Sequence, residues 1–154
     1  MKTAVKKTIR QMLSAKTANL HEIGKLTPPT DGWIKAVRIA LGMPSRFAAR
    51  KLGITARTFR EFEQNEAVGS ISLKTLRRAA DAMGCDVVYA LVPRADSFDA
   101  LINQQAYRRA EKLVRPVAHS MMMEGQATTA TEDRLKELAA EFAATPNGAL
   151  WEDA

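Results

Sequence analysis

A mainly α-helical fold, with one short β-strand and a long C-terminal helical extension, follows from three observations on this chain of 154 residues. Apolar residues recur at spacings of three and four along most of its length. The links between those runs hold Gly or Pro, which stop helices. A single stretch, "CDVVYALV" (85–92), is short and β-rich, and Pro93 ends it.

Val5, Ile9, Met12 and Leu13 lie at helical spacing and predict a short amphipathic helix within residues 4–20. "TPPTDG" (27–32) then breaks any helix, because proline lacks an amide donor and holds the preceding residue extended. From Trp33 four closely spaced helical segments are expected: "WIKAVRIAL", "SRFAARKL", "ARTFREFEQ" and "LKTLRRAADAM". Their links contain Gly42 with Pro44, Gly53, and Gly69. Beyond the strand, Ser97 is placed to N-cap a long helix through "FDALINQQAYRRAEKLV", which Pro116 should kink or divide before "VAHSMMM" runs on to Gly125. "ATTAT" links to a last helix, "EDRLKELAAEF", and to a polar tail holding Trp151.

The composition, 46% hydrophobic and 26% charged, suits one compact domain plus an extension. No apolar run approaches the roughly 20 residues that cross a bilayer, so no membrane partner is expected. The start, "MKTAVKKTIRQML", is basic but lacks the apolar core of a secretory signal. A lone cysteine, Cys85, forms no internal disulfide, which fits a cytoplasmic protein. His21 and His119 have no metal-ligand spacing, Cys85 has no base beside it in the sequence, and no glycine-rich loop with a lysine stands ready for phosphates. Neither an enzyme nor a cofactor or metal is expected.

Charge is unevenly distributed. Residues 1–60 carry 13 Lys/Arg against two acids, Glu22 and Asp31, whereas residues 61–154 carry 10 against 15. A basic half suits a polyanionic partner, and a nucleic acid is the usual one.

The segment "SRFAARKLGITARTFREFEQNE" (45–66) is the most informative. Ala49 lies four residues before Gly53, whose lack of a side chain suits a tight turn; Thr55 can cap the next helix, and Phe59 and Phe62 share one face. That spacing fits a helix-turn-helix, with Ala56, Arg57 and Arg60 left on the outward face of the second helix. Arg57 and Arg60 could donate to guanine edges in a major groove, while Ser45, Arg46, Thr55 and Thr58 are placed for phosphates. The plainer alternative is a helical hairpin with solvated arginines.

At these residues the chain resembles the lambda-repressor-like, Xre-type DNA-binding family, over about residues 33–84. The resemblance implies a helical bundle in which Glu63 pairs with a basic residue of the first helix, here Arg38. It also implies dimers on inverted half-sites about 34 to 36 Å apart. The strand or the helix from Ser97 would supply the dimer contact. Ala56 stands where many members have glutamine, so base reading would shift to Arg57 and Arg60.

A wider resemblance rests on "GWIKAVRIALGM", "EQNEAVGSISLKTLRRAADAMGCDVVYALVPR" and "LW" near the end. These look like the family called mobile mystery protein A, found beside a partner, mobile mystery protein B, that carries a Fic domain. Fic enzymes commonly transfer AMP from ATP to protein hydroxyls, and many are restrained by a helix bearing S/T-x-x-x-E-G/N. "SMMMEG" fits, with Ser120, Glu124 and Gly125 at its fixed positions. A carboxylate near a helix C-terminus is electrostatically disfavoured, so stability alone does not account for Glu124. Met121, Met122 and Met123 serve either as core filling or as adaptable contacts to a partner. Trp151 either covers the bundle or anchors a partner.

The expected organisation is therefore a basic N-terminal helix and linker (1–31), a helix-turn-helix DNA-binding domain with its following strand (32–93) and a helical antitoxin extension (94–154). The expected function is antitoxin of a Fic-type toxin encoded nearby and repressor of the shared operon through operator DNA, as a homodimer or a toxin–antitoxin hetero-oligomer. The alternatives are a helix-turn-helix regulator that inhibits no enzyme, and a pure enzyme inhibitor with a vestigial DNA-binding unit.

Overall fold

The computed structural model describes residues 3–122 and 128–152, with the backbone alone for 117–122 and 128–130. Among the described residues the chain is mainly α-helical, and no β-strand is present. The helices are α1 (Thr3–Thr17), α2 (Trp33–Ala40), α3 (Ser45–Lys51), α4 (Ala56–Ala67), α5 (Leu73–Ala82), α6 (Phe98–Met122) and α7 (Thr128–Ala144), with short 3-10 turns at Ile23–Lys25 and Gly148–Trp151. Two compact units result, one of residues 25–90 and one of residues 1–24 with 91–154. Among the described residues no helix is long and apolar enough to cross a membrane.

In the unit of residues 25–90, α2 to α5 enclose Ile34, Ala48, Ala49, Phe59, Ala79 and Met83, with Val37, Leu52, Ile54, Phe62 and Leu76 packed around them. Small Ala48, Ala49 and Ala79 let the helices approach closely about the one large ring, Phe59, which is fully buried. The Phe59 and Phe62 rings lie 6.3 Å apart at 46°, a favourable tilted arrangement. One ion pair is sunk into this unit. Arg38 Nε donates to Glu63 Oε1 at 2.5 Å and Nη2 to Oε2 at 3.3 Å, while Nη1 donates to the Met43 carbonyl at 3.2 Å. Burial makes the pairing obligatory, since either charge alone would be left poorly solvated.

Glu66 ties α4 to α2. Its carboxylate accepts the amides of Trp33 and Ile34 at 2.8 and 2.7 Å, two of the donors that the start of α2 leaves unpaired. Gly32 makes room for it. With φ at +81°, a Cβ there would lie 2.9 Å from Glu66 Oε2.

The unit of residues 1–24 and 91–154 is a hairpin of α6 and α7 to which α1 is added. Ile102, Ala106 and Leu150 form its centre, packed by Phe142 and Ala143. Ser97 caps α6 as expected, accepting the Ala100 amide at 3.0 Å. Buried Gln105 donates to the Leu150 carbonyl at 3.0 Å and holds the C-terminal turn, which leaves Trp151 half exposed beside Ile9 and Pro146. Arg10 Nε meets Asp99 at 2.6 Å and anchors α1 to the first turn of α6. Pro116 does not divide α6, which continues to Met122. One lost amide donor is tolerated because the long helix also packs against α7.

The expected strand over 85–92 is not found. The segment runs without turn or bend from Cys85 to Pro93, but a strand also requires a neighbouring backbone, and residues 86–92 make no backbone hydrogen bond among the described residues. The segment is β-rich in composition and has no strand partner among the described residues.

Candidate nucleic-acid interface

The α3–α4 pair is built by its link. At the end of α3 the Ile54 amide reaches the Ala49 carbonyl at 3.0 Å and the Gly53 amide reaches Arg50 at 3.1 Å, closing a Schellman motif. This closure requires φ of +66° at Gly53, a conformation that costs any residue with a Cβ. Ile54 then packs on the core, and Thr55, in extended backbone, starts α4 by accepting the Thr58 amide at 3.1 Å.

The turn and the cap set what α4 presents. Phe59 and Glu63 point inward, so Arg57 and Arg60, three residues apart, project together into solvent, with Ala56 half-buried beside them. Arg57 leans along its own helix to Glu61 at 3.3 Å, and the two side chains are 87% and 52% exposed. A pair so exposed is weak and exchanges readily for a stronger anion. Arg60 has no ion-pair partner among the described residues.

The Thr55 and Thr58 hydroxyls are 2.9 Å apart, and only one of their protons is needed for that bond. The other remains free to donate. The Thr58 amide is used by the cap and the Phe59 amide by the Thr55 carbonyl, while the Ala56 and Arg57 amides at the head of α4 have no acceptor among the described residues and suit one such as phosphate. Ser45 and Arg46 open α3, with Ser45 half-buried and Arg46 exposed.

The charge of the whole unit reinforces this face. Residues 25–90 contain 11 Lys/Arg and six Asp/Glu. Four of the acids are engaged: Asp31 with Lys35, Glu61 with Arg57, Glu63 with Arg38, and Glu66 on the start of α2. Arg46, Arg50, Lys74 and Arg78 are exposed and have no ion-pair partner among the described residues, and Arg77 lies over the Tyr89 ring at 5.1 Å. Lys74, Arg77 and Arg78 of α5 carry no expected role. The sequence marks them by the "K..RR" spacing within "LKTLRRAADAM", a stretch that reads first as a helix.

The second expected site is described less fully. Ser120 belongs to the backbone of α6, whereas Glu124 and Gly125 lie outside the described residues. Among the described residues no cluster of His, Cys, Asp or Glu could hold a metal ion. Comparisons with protein-family models, with curated proteins and with solved structures find no match to this chain.

Proposed function

We propose that the unit of residues 25–90 is a helix-turn-helix domain that binds duplex DNA, with α4 as the helix entering the major groove. The single observation carrying this reading is the α4 head itself: a cap, a free amide pair and two solvent-directed arginines on a helix locked to the core by Phe59 and Glu63. Arg57 and Arg60 would read guanine edges through paired hydrogen bonds. Thr55, Thr58, Ser45 and Arg46 would fix the register on phosphates, and the remaining cations of the unit would add sequence-independent attraction.

Joined to the family resemblance, this makes the chain the autorepressor of an operon and the antitoxin of the Fic-type enzyme encoded in it. Ser120, Glu124 and Gly125 carry the inhibitory part. In that part Glu124 would pair with the enzyme arginine that otherwise holds the γ-phosphate of ATP, and two charge-assisted hydrogen bonds would outcompete it. Transfer to a hydroxyl depends on how ATP is positioned, so its displacement stops the reaction. The test has two arms, gel-shift titration on the DNA upstream of the gene and co-purification with the product of the adjacent reading frame. DNA binding without co-purification would leave a regulator that inhibits no enzyme. Co-purification without sequence-selective binding would leave an inhibitor alone.

A further inference from the structure

Helix α1 packs on its unit by its polar side. Val5, Ile9, Met12 and Leu13, the apolar stripe of its sequence, stand exposed. Lys6, Arg10 and Ser14 are part-buried instead and Thr17 is buried, a set that recurs along one helix face. Arg10 Nε meets Asp99 at 2.6 Å, Ser14 Oγ accepts the Phe98 amide at 3.3 Å, and Lys6 Nζ reaches the Pro146 carbonyl at 3.4 Å, a long bond. Two cations are thereby drawn against the body of the unit with one carboxylate to balance them. The Arg10 side chain is only 17% exposed, yet its two terminal nitrogens have no acceptor among the described residues. A cation held from water with donors unspent is costly, and an anion set against it relieves that cost.

These two cations line a groove of about 390 Å³ together with Ile9, Ile102, Pro146 and the half-exposed Trp151, and no acidic residue among those described lines it. We infer that the groove binds a small aromatic carboxylate, its ring against Trp151 and its carboxylate on Arg10 and Lys6. The volume lies at the small end of the roughly 300 to 1,000 Å³ of ligand clefts, so a compact molecule fits. A planar ring is what an indole stacks on, and Ile9, Ile102 and Pro146 offer the rest of an apolar bed. The charge selects the head group. Lys6 and Arg10 against Asp99 leave one positive charge, which a carboxylate balances, whereas a phosphate monoester would bring nearly two negative ones. The two terminal nitrogens of a guanidinium also match the two oxygens of a carboxylate. The inference stands apart from the DNA reading, because every residue of the groove belongs to the unit of residues 1–24 and 91–154 and α4 belongs to the other.

The experiment titrates the full chain with 1-naphthaleneacetate and, separately, with the neutral 1-naphthaleneacetamide, followed by calorimetry. The carboxylate should bind saturably at one site per chain, and the amide, which keeps the ring and loses the charge, at least about tenfold more weakly. Nitrogen–proton NMR then locates the site: of the two tryptophan indole N–H signals, that of Trp151 should move and saturate while that of Trp33 stays in place. Lys6→Gln and Trp151→Ala should each weaken the carboxylate about tenfold, with circular dichroism checking that the helices persist. Lys7→Gln, at the next position of α1 and outside the groove, should leave affinity unchanged. An absence of saturable binding, equal affinity for acid and amide, equal movement of both indole signals, or a loss for Lys7→Gln as large as for Lys6→Gln would overturn the site. The comparison of acid with amide needs no substitution, so it decides the matter even if a variant fails to fold.

Discussion

Replacing Glu63 by Ala should destabilise the unit of residues 25–90 far more than an ordinary surface change. The carboxylate is buried and takes two bonds from Arg38, whose guanidinium is itself only 16% exposed. Removing one partner of such a pair costs about 3 to 5 kcal/mol, because the other charge stays behind in a poorly solvated place. Arg38 keeps its bond to the Met43 carbonyl and retains that slight exposure, so the lower end, about 3 kcal/mol, is expected. Replacing both Arg38 and Glu63 by Met should recover most of the loss, since no charge is then stranded. The assay is urea unfolding followed by tryptophan fluorescence in a Trp151→Phe background, where Trp33 alone reports on this unit. A loss below about 1 kcal/mol for Glu63→Ala, or a double variant as unstable as the single one, would refute the reasoning.

Gly32→Ala should cost about 1 to 3 kcal/mol in the same unfolding assay, from a backbone conformation that essentially only glycine adopts and from a Cβ pressed on Glu66; an unchanged midpoint would show that the local backbone relaxes freely. Arg46→Ala should weaken binding to operator and to unrelated duplex alike and lower the salt slope by about one, measured by fluorescence anisotropy across a salt series. Should only operator binding fall, Arg46 reads bases instead. Glu124→Gly should leave complex formation and DNA binding intact while restoring AMP transfer by the co-purified Fic enzyme, followed with labelled ATP; continued silence of the enzyme would move inhibition away from "SMMMEG".

The α3–α4 pair was readable in the sequence because its determinants are local. Gly53, Thr55 and the Phe59/Phe62 spacing lie within ten residues, and the cap and turn appear where those residue types require them. Ser97 was readable at α6 for the same reason. Glu66 was not, since the amides it caps are more than 30 positions away and nothing in its own neighbourhood marks it as a cap. The strand was misread for a related reason. Side-chain preference describes residues 85–92 well, but pairing is a property of two segments, and the described residues supply one. Pro116 was weighed by its local cost alone, whereas packing along α6 and α7 bears on the outcome.

One titration tests most directly whether α4 reads DNA. Wild type, Arg57→Ala and Arg60→Ala are titrated onto the duplex upstream of the gene and onto a scrambled duplex at one fixed salt concentration. Each arginine should be worth about 1 to 3 kcal/mol on the operator, roughly a 5- to 150-fold loss of affinity, with a much smaller loss on the scrambled duplex. Affinities that stay equal among the three proteins, or that fall equally on both duplexes, would contradict it.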